Sequence, residues 1–158
     1  MRHLLGTLAL LLVVAGCGSE SAGAGATDGD QAPGDAPSVE ASTVTLVSAT
    51  AGGGAPATQA TTLATDAAVA SYVQQFDRSF GAAVAEAAGE KPVDDGEVLL
   101  AQVVSIGCDK PLGATVRQGA GGPVMVATPV ESPRRECLAP VTTVGLAAVP
   151  VSLAGGGS

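Results

Sequence analysis

Histidine is almost absent from this chain: of its 158 residues only His3 is one, and it sits at the extreme start. Without an imidazole farther on, no Ser-His-Asp or Cys-His device can be assembled, and zinc or haem sites lose their commonest ligand. Motifs that cradle phosphates or raise a nucleophile are missing too. There is no Gly-x-Ser-x-Gly elbow, no Ser-x-x-Lys, no P-loop and no Rossmann fingerprint behind a strand. Aromatic residues are nearly as scarce: Tyr72, Phe76 and Phe80 are the only rings and tryptophan is absent, which argues against a stacking platform for bases or sugars. Positive charge is the third shortage. Seven Lys and Arg stand against fifteen Asp and Glu, a net charge of −8. Such a surface repels phosphate backbones and anionic headgroups, so neither nucleic acid nor electrostatic membrane adsorption is expected.

A long hydrophobic run is lacking as well. Residues 4–14 form an almost unbroken apolar stretch rich in Leu and Val, but a membrane-spanning helix needs roughly 20 such residues. Arg2 and His3 precede it, and the order of basic start and apolar run is that of an export signal. The run ends at Val14-Ala15-Gly16-Cys17. Small residues at 15 and 16 let the backbone enter a peptidase cleft, and the Cys17 thiol can take up a diacylglyceryl group.

These features together resemble the lipobox-type signal of bacterial lipoproteins. The composition, rich in Ala, Gly, Val and Thr and poor in Lys and Ile, is similar to that of small lipoproteins from high-G+C bacteria. The resemblance covers residues 1–17 alone. It implies that residues 1–16 are a signal peptide, that Cys17 becomes the acylated first residue, and that lipid holds the chain at the extracytoplasmic face of a cell membrane. Two acyl chains, at ~0.8 kcal/mol per buried methylene, anchor permanently where one is marginal.

Residues 18–40 are Gly, Ala, Ser, Thr, Pro and acid with one Gln, and Val39 is the only larger aliphatic; there is no basic residue. A segment of this kind gains too little apolar burial to offset the ordering of its backbone, and reads as a disordered tether. As a flexible chain it spans about 26 Å root-mean-square. The folded domain is expected over residues 41–151, long enough for one modest core, with residues 152–158 as a flexible tail.

Within that domain, residues 43–48 read as a strand and residues 51–60 as a Gly/Ala/Pro loop with the composition of a disordered segment, which leaves open whether the strand belongs to the domain. Val69, Tyr72, Val73, Phe76, Phe80, Val84 and Ala87 recur at steps of three and four, one face of a helix. Thr65 or Asp66 can cap its start, and Gly89 with Pro92 supplies a stop. One long helix over residues 66–88 is expected, with a bend or break near residues 79–81, and its three rings read as a core stripe. Residues 97–108 are too continuously apolar for a strand with one wet face and read as a central strand, and residues 138–149 resemble them. Between the two, residues 115–118 and 123–128 flank four small residues and read as a hairpin. The expected fold class is α+β: one long helix packed on a small, mainly antiparallel sheet.

With Cys17 given over to lipid, Cys108 and Cys137 remain, and outside the cytoplasm two cysteines in one small domain are expected to pair. The bridge would close a loop of about 29 residues, contributing roughly 3–4 kcal/mol in the chain-entropy model. No Cys-x-x-Cys spacing suggests redox activity. Asp94, Asp95 and Glu97 are the nearest approach to an acid pair. They read as acids solvating a turn, with a weak calcium site or carboxylate catalysis as the sharper alternatives. Arg134 and Arg135 lie in a proline-bounded loop beside Cys137; they are candidate partner-binding residues, or else pair with Glu131 and Glu136.

The expectation for function is therefore a non-catalytic, lipid-anchored binding or regulatory module for another envelope or secreted protein. Its alternative is a small-ligand receptor or carboxylate-dependent hydrolase using Asp94, Asp95 and Glu97. No cofactor and no metal is implied by any motif.

Overall fold

The two continuously apolar segments find each other. In the computed structural model, which describes residues 43–155, β3 (Glu97–Gly107) and β6 (Val141–Pro150) pair antiparallel along nearly their whole length, with one irregularity between Val103 and Ser105. Strands with apolar side chains at every position need cover on both faces. β1 (Thr45–Thr50) flanks β6, and the two-residue β2 (Thr61–Thr62) flanks β3, giving a four-stranded antiparallel sheet in the order β1-β6-β3-β2.

Alternation along β3 and β6 then sorts the core into two halves. Leu99, Ala101 and Val103, with Val144 and Leu146, pack against Phe76, Phe80 and Val84 of the helical layer. Leu100, Ala147 and Val149 belong to the other half, centred on Met125. That residue lies on β5 (Gly122–Thr128), which pairs with β4 (Gly113–Gly119) as a separate two-stranded sheet. The hairpin therefore covers the second face of the main sheet instead of extending it.

A lone hairpin is marginally stable, and this one is held by a buried side chain. Gln102, 3% exposed, accepts the Met125 N–H at 2.7 Å through Oε1 and donates through Nε2 to the carbonyls of Ala57 at 2.8 Å and Met125 at 3.3 Å. Its amide thus treats β5 as a neighbouring strand would. Opposite Gln102 in the β3–β6 register stands Gly145, where an added Cβ would lie 2.8 Å from the Met125 Sδ. Only glycine lets the hairpin settle this close.

Three features depart from the sequence-based expectation. The expected α+β arrangement with one long helix over residues 66–88 does not form; the domain is mostly β, with two sheets and only short helices. α1 (Asp66–Tyr72) passes into a 3-10 turn (Val73–Gln75), Phe76 is extended, and α2 (Arg78–Glu90) starts afresh. The break falls ahead of residues 79–81 because Asp77 acts as a new N-cap, its carboxylate accepting from the Ser79 N–H at 3.0 Å and hydroxyl at 2.6 Å. The loop at 52–54 fills the gap: Asp77 N–H donates to the Gly52 carbonyl and Gly54 N–H to the Gln75 carbonyl. Secondly, that loop is ordered, with Gly53 bridging to Phe76. Thirdly, the expected tail opens with α3 (Val151–Ala154), whose Leu153 and Ala154 pack on the Met125 side.

Other expectations hold in detail. Thr65 caps α1 by accepting the Ala68 N–H, and the rings of Tyr72, Phe76 and Phe80 form a chain of edge-on contacts at 5.6 and 5.1 Å. Cys108 and Cys137 are joined by a disulfide, with their Cα atoms 5.4 Å apart. Cys17, residues 18–40 and the last three residues lie outside the described residues.

Two substitutions test this packing. Gln102→Leu removes the amide and leaves the Met125 backbone N–H and carbonyl buried without their partner, so equilibrium denaturation is expected to show a loss of about 2–4 kcal/mol. Gly54 has φ +79° and its Cβ would fall 2.5 Å from the Phe76 ring; Gly54→Ala is expected to lower stability by about 2 kcal/mol, seen as a melting shift of several degrees.

Candidate functional site

The helical layer does not cover the sheet evenly. Where β3 begins and β6 ends, α1, the second half of α2 and α3 leave between them a groove of about 920 Å³. Its floor is Leu99 and Ala88, both buried. Its walls are small: Ala70, Ala85 and Gly89 line it where larger residues would close it. At its mouth stand Val93 and Val151, 44% and 54% exposed, two of the large apolar residues this domain leaves most open to solvent.

Polar groups are few and lie on the rim. Thr65 is already used as the cap of α1, and Asp66 opens that helix as an exposed residue. Glu97 lines the groove, yet its carboxylate accepts the Asp94 N–H at 3.1 Å while its own N–H donates to the Asp94 carbonyl. That reciprocal pair closes the turn between α2 and β3. Asp94 and Asp95 are exposed on the turn and are not among the residues lining the groove. The three acids thus lie on a turn, as their sequence reads, with one on the rim of the groove and two in solvent.

The arginine pair is also divided. Arg134 folds back over the disulfide end, where its backbone N–H and Nε donate to the two carboxylate oxygens of Asp109 at 2.6 and 2.7 Å, and its guanidinium also reaches the Cys108 carbonyl. It is an internal strut. Its acid partner is Asp109, where Glu131 and Glu136 had been expected. Arg135 is exposed and has no hydrogen bond or ion pair among the described residues.

Tyr72 belongs to the core stripe; its hydroxyl is buried without a hydrogen-bond partner, and desolvation pushes the phenol above its usual range. Among the described residues no three His, Cys, Asp or Glu side chains cluster to hold a metal ion, and no helix is long and apolar enough to cross a membrane. No protein-family model, curated protein or solved structure matches the chain.

Sequence reasoning missed the groove because its lining carries no chemical signal. Ala, Gly and Val are recognised as a site only when folding sets them around an empty volume. The faint clues were Val93, an apolar residue stranded in an acidic turn, and Val151, the last residue of the expected domain.

The strut has a pH signature. Hydrogen bonds from the Arg134 N–H and guanidinium hold the Asp109 carboxyl below the usual carboxylate value. A carboxylate whose folded pKa is lowered stabilises the fold above the unfolded pKa, and that contribution is lost as pH falls through the lower folded one. NMR titration is expected to place Asp109 below the ~3.9 of a free aspartate, and Arg134→Ala, which removes the guanidinium and keeps the backbone N–H donor, to raise it only part of the way back with the disulfide intact.

Proposed function

We propose that this protein is a non-catalytic receptor for an elongated apolar ligand, held by lipid on Cys17 at the extracytoplasmic face of a cell membrane, with the groove between α1, α2 and α3 as its binding site. The observation that carries this reading is the groove itself. Small-molecule sites are mostly apolar clefts of ~300–1,000 Å³ with few polar groups, and the 920 Å³ groove has an apolar floor and polar groups only at its rim. Nothing at its floor could transfer a proton or attack a bond. Asp66 and Glu97 on that rim disfavour an anionic head, so a neutral or cationic amphiphile suits the site better than a fatty acid.

This reading takes up the receptor alternative of the sequence analysis. Hydrolysis by Asp94, Asp95 and Glu97 finds no support, since two of the three lie away from the groove and the third ties a turn. The Arg134–Arg135 loop as a docking epitope loses half its charge to the strut on Asp109.

Binding of a fluorescent alkylamine to the full chain tests the proposal. Titration is expected to saturate at one site, and Ala70→Trp, which fills the groove from an exposed position on α1, is expected to weaken binding by at least about tenfold, ~1.4 kcal/mol. Ala82→Trp, on the exposed side of α2 away from the groove, should leave affinity unchanged. Equal affinity in both variants would remove the groove as the site.

A further inference from the structure

The two edges of the main sheet are finished differently. On one side β2 is two residues long and Leu63 continues it by donating its N–H to the Leu99 carbonyl; a very short edge strand is one way proteins prevent unwanted pairing. On the other side lies β1, six residues with the sequence Thr-Leu-Val-Ser-Ala-Thr and no further strand beyond it among the described residues. Its own residues include no charge, no proline and no glycine, and the one lysine that meets it, Lys91, bonds only at its start, to the Thr43 carbonyl and the Thr45 hydroxyl.

The direction of its free backbone groups follows from the register. Ala51 N–H donates to the Pro140 carbonyl, which extends the β1–β6 register by one pair and makes it a hydrogen-bonded one. Such pairs alternate along an antiparallel ladder. Thr45, Val47 and Ala49 therefore direct their N–H and C=O to β6, while Leu46, Ser48 and Thr50 direct theirs outward.

We propose that this edge pairs with β1 of a second copy of the chain, antiparallel about a two-fold axis, joining two four-stranded sheets into one of eight. The self-pairing is chemically consistent. With Ser48 at the axis, Leu46 meets Thr50 of the other copy through outward-facing groups on both, and Val47 lies beside Ala49. No charged residue faces a like charge in that ladder. Because a two-fold axis perpendicular to the sheet keeps its faces, helical layer abuts helical layer and hairpin abuts hairpin. A contact confined to one six-residue edge is smaller than the ~1,200–2,000 Å² of stable interfaces, so the dimer is weak in solution and forms at high local concentration. The edge is separate from the groove, and this inference does not depend on the ligand proposal.

Hydrogen exchange on the chain from residue 17 onward, with Cys17→Ser so that acyl chains do not drive association, tests it directly. Between about 10 μM and about 1 mM protein, the amides of Leu46, Ser48 and Thr50 are expected to slow several-fold while those of Val47 and Ala49 do not change. Sedimentation over the same range should show mass rising towards a dimer, and Thr50→Pro, which removes one outward N–H at an exposed position, should keep it monomeric. Exchange at the three amides that is fast at both concentrations overturns the proposal. Exchange that is slow at both concentrations also overturns it, and assigns the edge to a segment of the same chain.

Discussion

The β3–β6 ladder is the constraint on which the rest of the domain depends. Two strands that are apolar on both faces cannot stand at a surface, and each of their faces has to be closed by something else. One is closed by α1 and α2 through Phe76, Phe80 and Val84, the other by the β4–β5 hairpin and α3 through Met125 and Leu153. With only three aromatic rings available, the layers meet mainly through Val, Leu and Ala, and small side chains bring backbones close together. Gly145 opposite Met125 and Gly52 opposite Phe80 are two points where the layers come that close. The groove is the complementary outcome, since the same small residues fail to fill the volume where the helical layer ends.

Within that apolar centre the polar exception is informative. Gln102 makes three hydrogen bonds, all to backbone groups of two other segments, Met125 on the hairpin and Ala57 in the loop before β2. A single buried amide therefore fixes the position of two elements that side-chain packing alone would leave free to slide. Thr143 does the same on a smaller scale, its hydroxyl paired with that of Ser48 across β6 and β1. Buried polar groups with complete partners specify one arrangement among several of similar apolar area.

Much of this was legible in the residues. The central strands, the hairpin and the ring stripe follow from local pattern, because each is encoded by neighbours in sequence, and the disulfide follows from Cys108 and Cys137 being the two cysteines of the domain. The long helix was read wrongly for an equally physical reason: periodicity from Val69 to Ala87 survives the break, since the 3-10 turn and the extended Phe76 return the chain to the same face. The signal that should have outweighed it was Asp77 two residues before Ser79, a cap in the middle of a helical pattern. The second sheet was hidden because whether a hairpin extends a sheet or lies across it is decided by Gln102 and Gly145, far from the hairpin in sequence. Of the candidate site, only Glu97 was named in advance as an acid of interest, and it was named as part of a turn, not of a groove; grooves lined by alanine and valine become visible only in three dimensions.

One consequence of the register concerns orientation. β1 enters the sheet beside the carboxyl end of β6, so Thr43, whose carbonyl accepts from Lys91, lies at the same pole of the domain as α3 and the groove. The disulfide and the Arg134 strut occupy the opposite pole, where β3 ends and β6 begins. The apolar groove therefore lies at the pole where the described chain begins, and the stapled, charged loop lies at the opposite one.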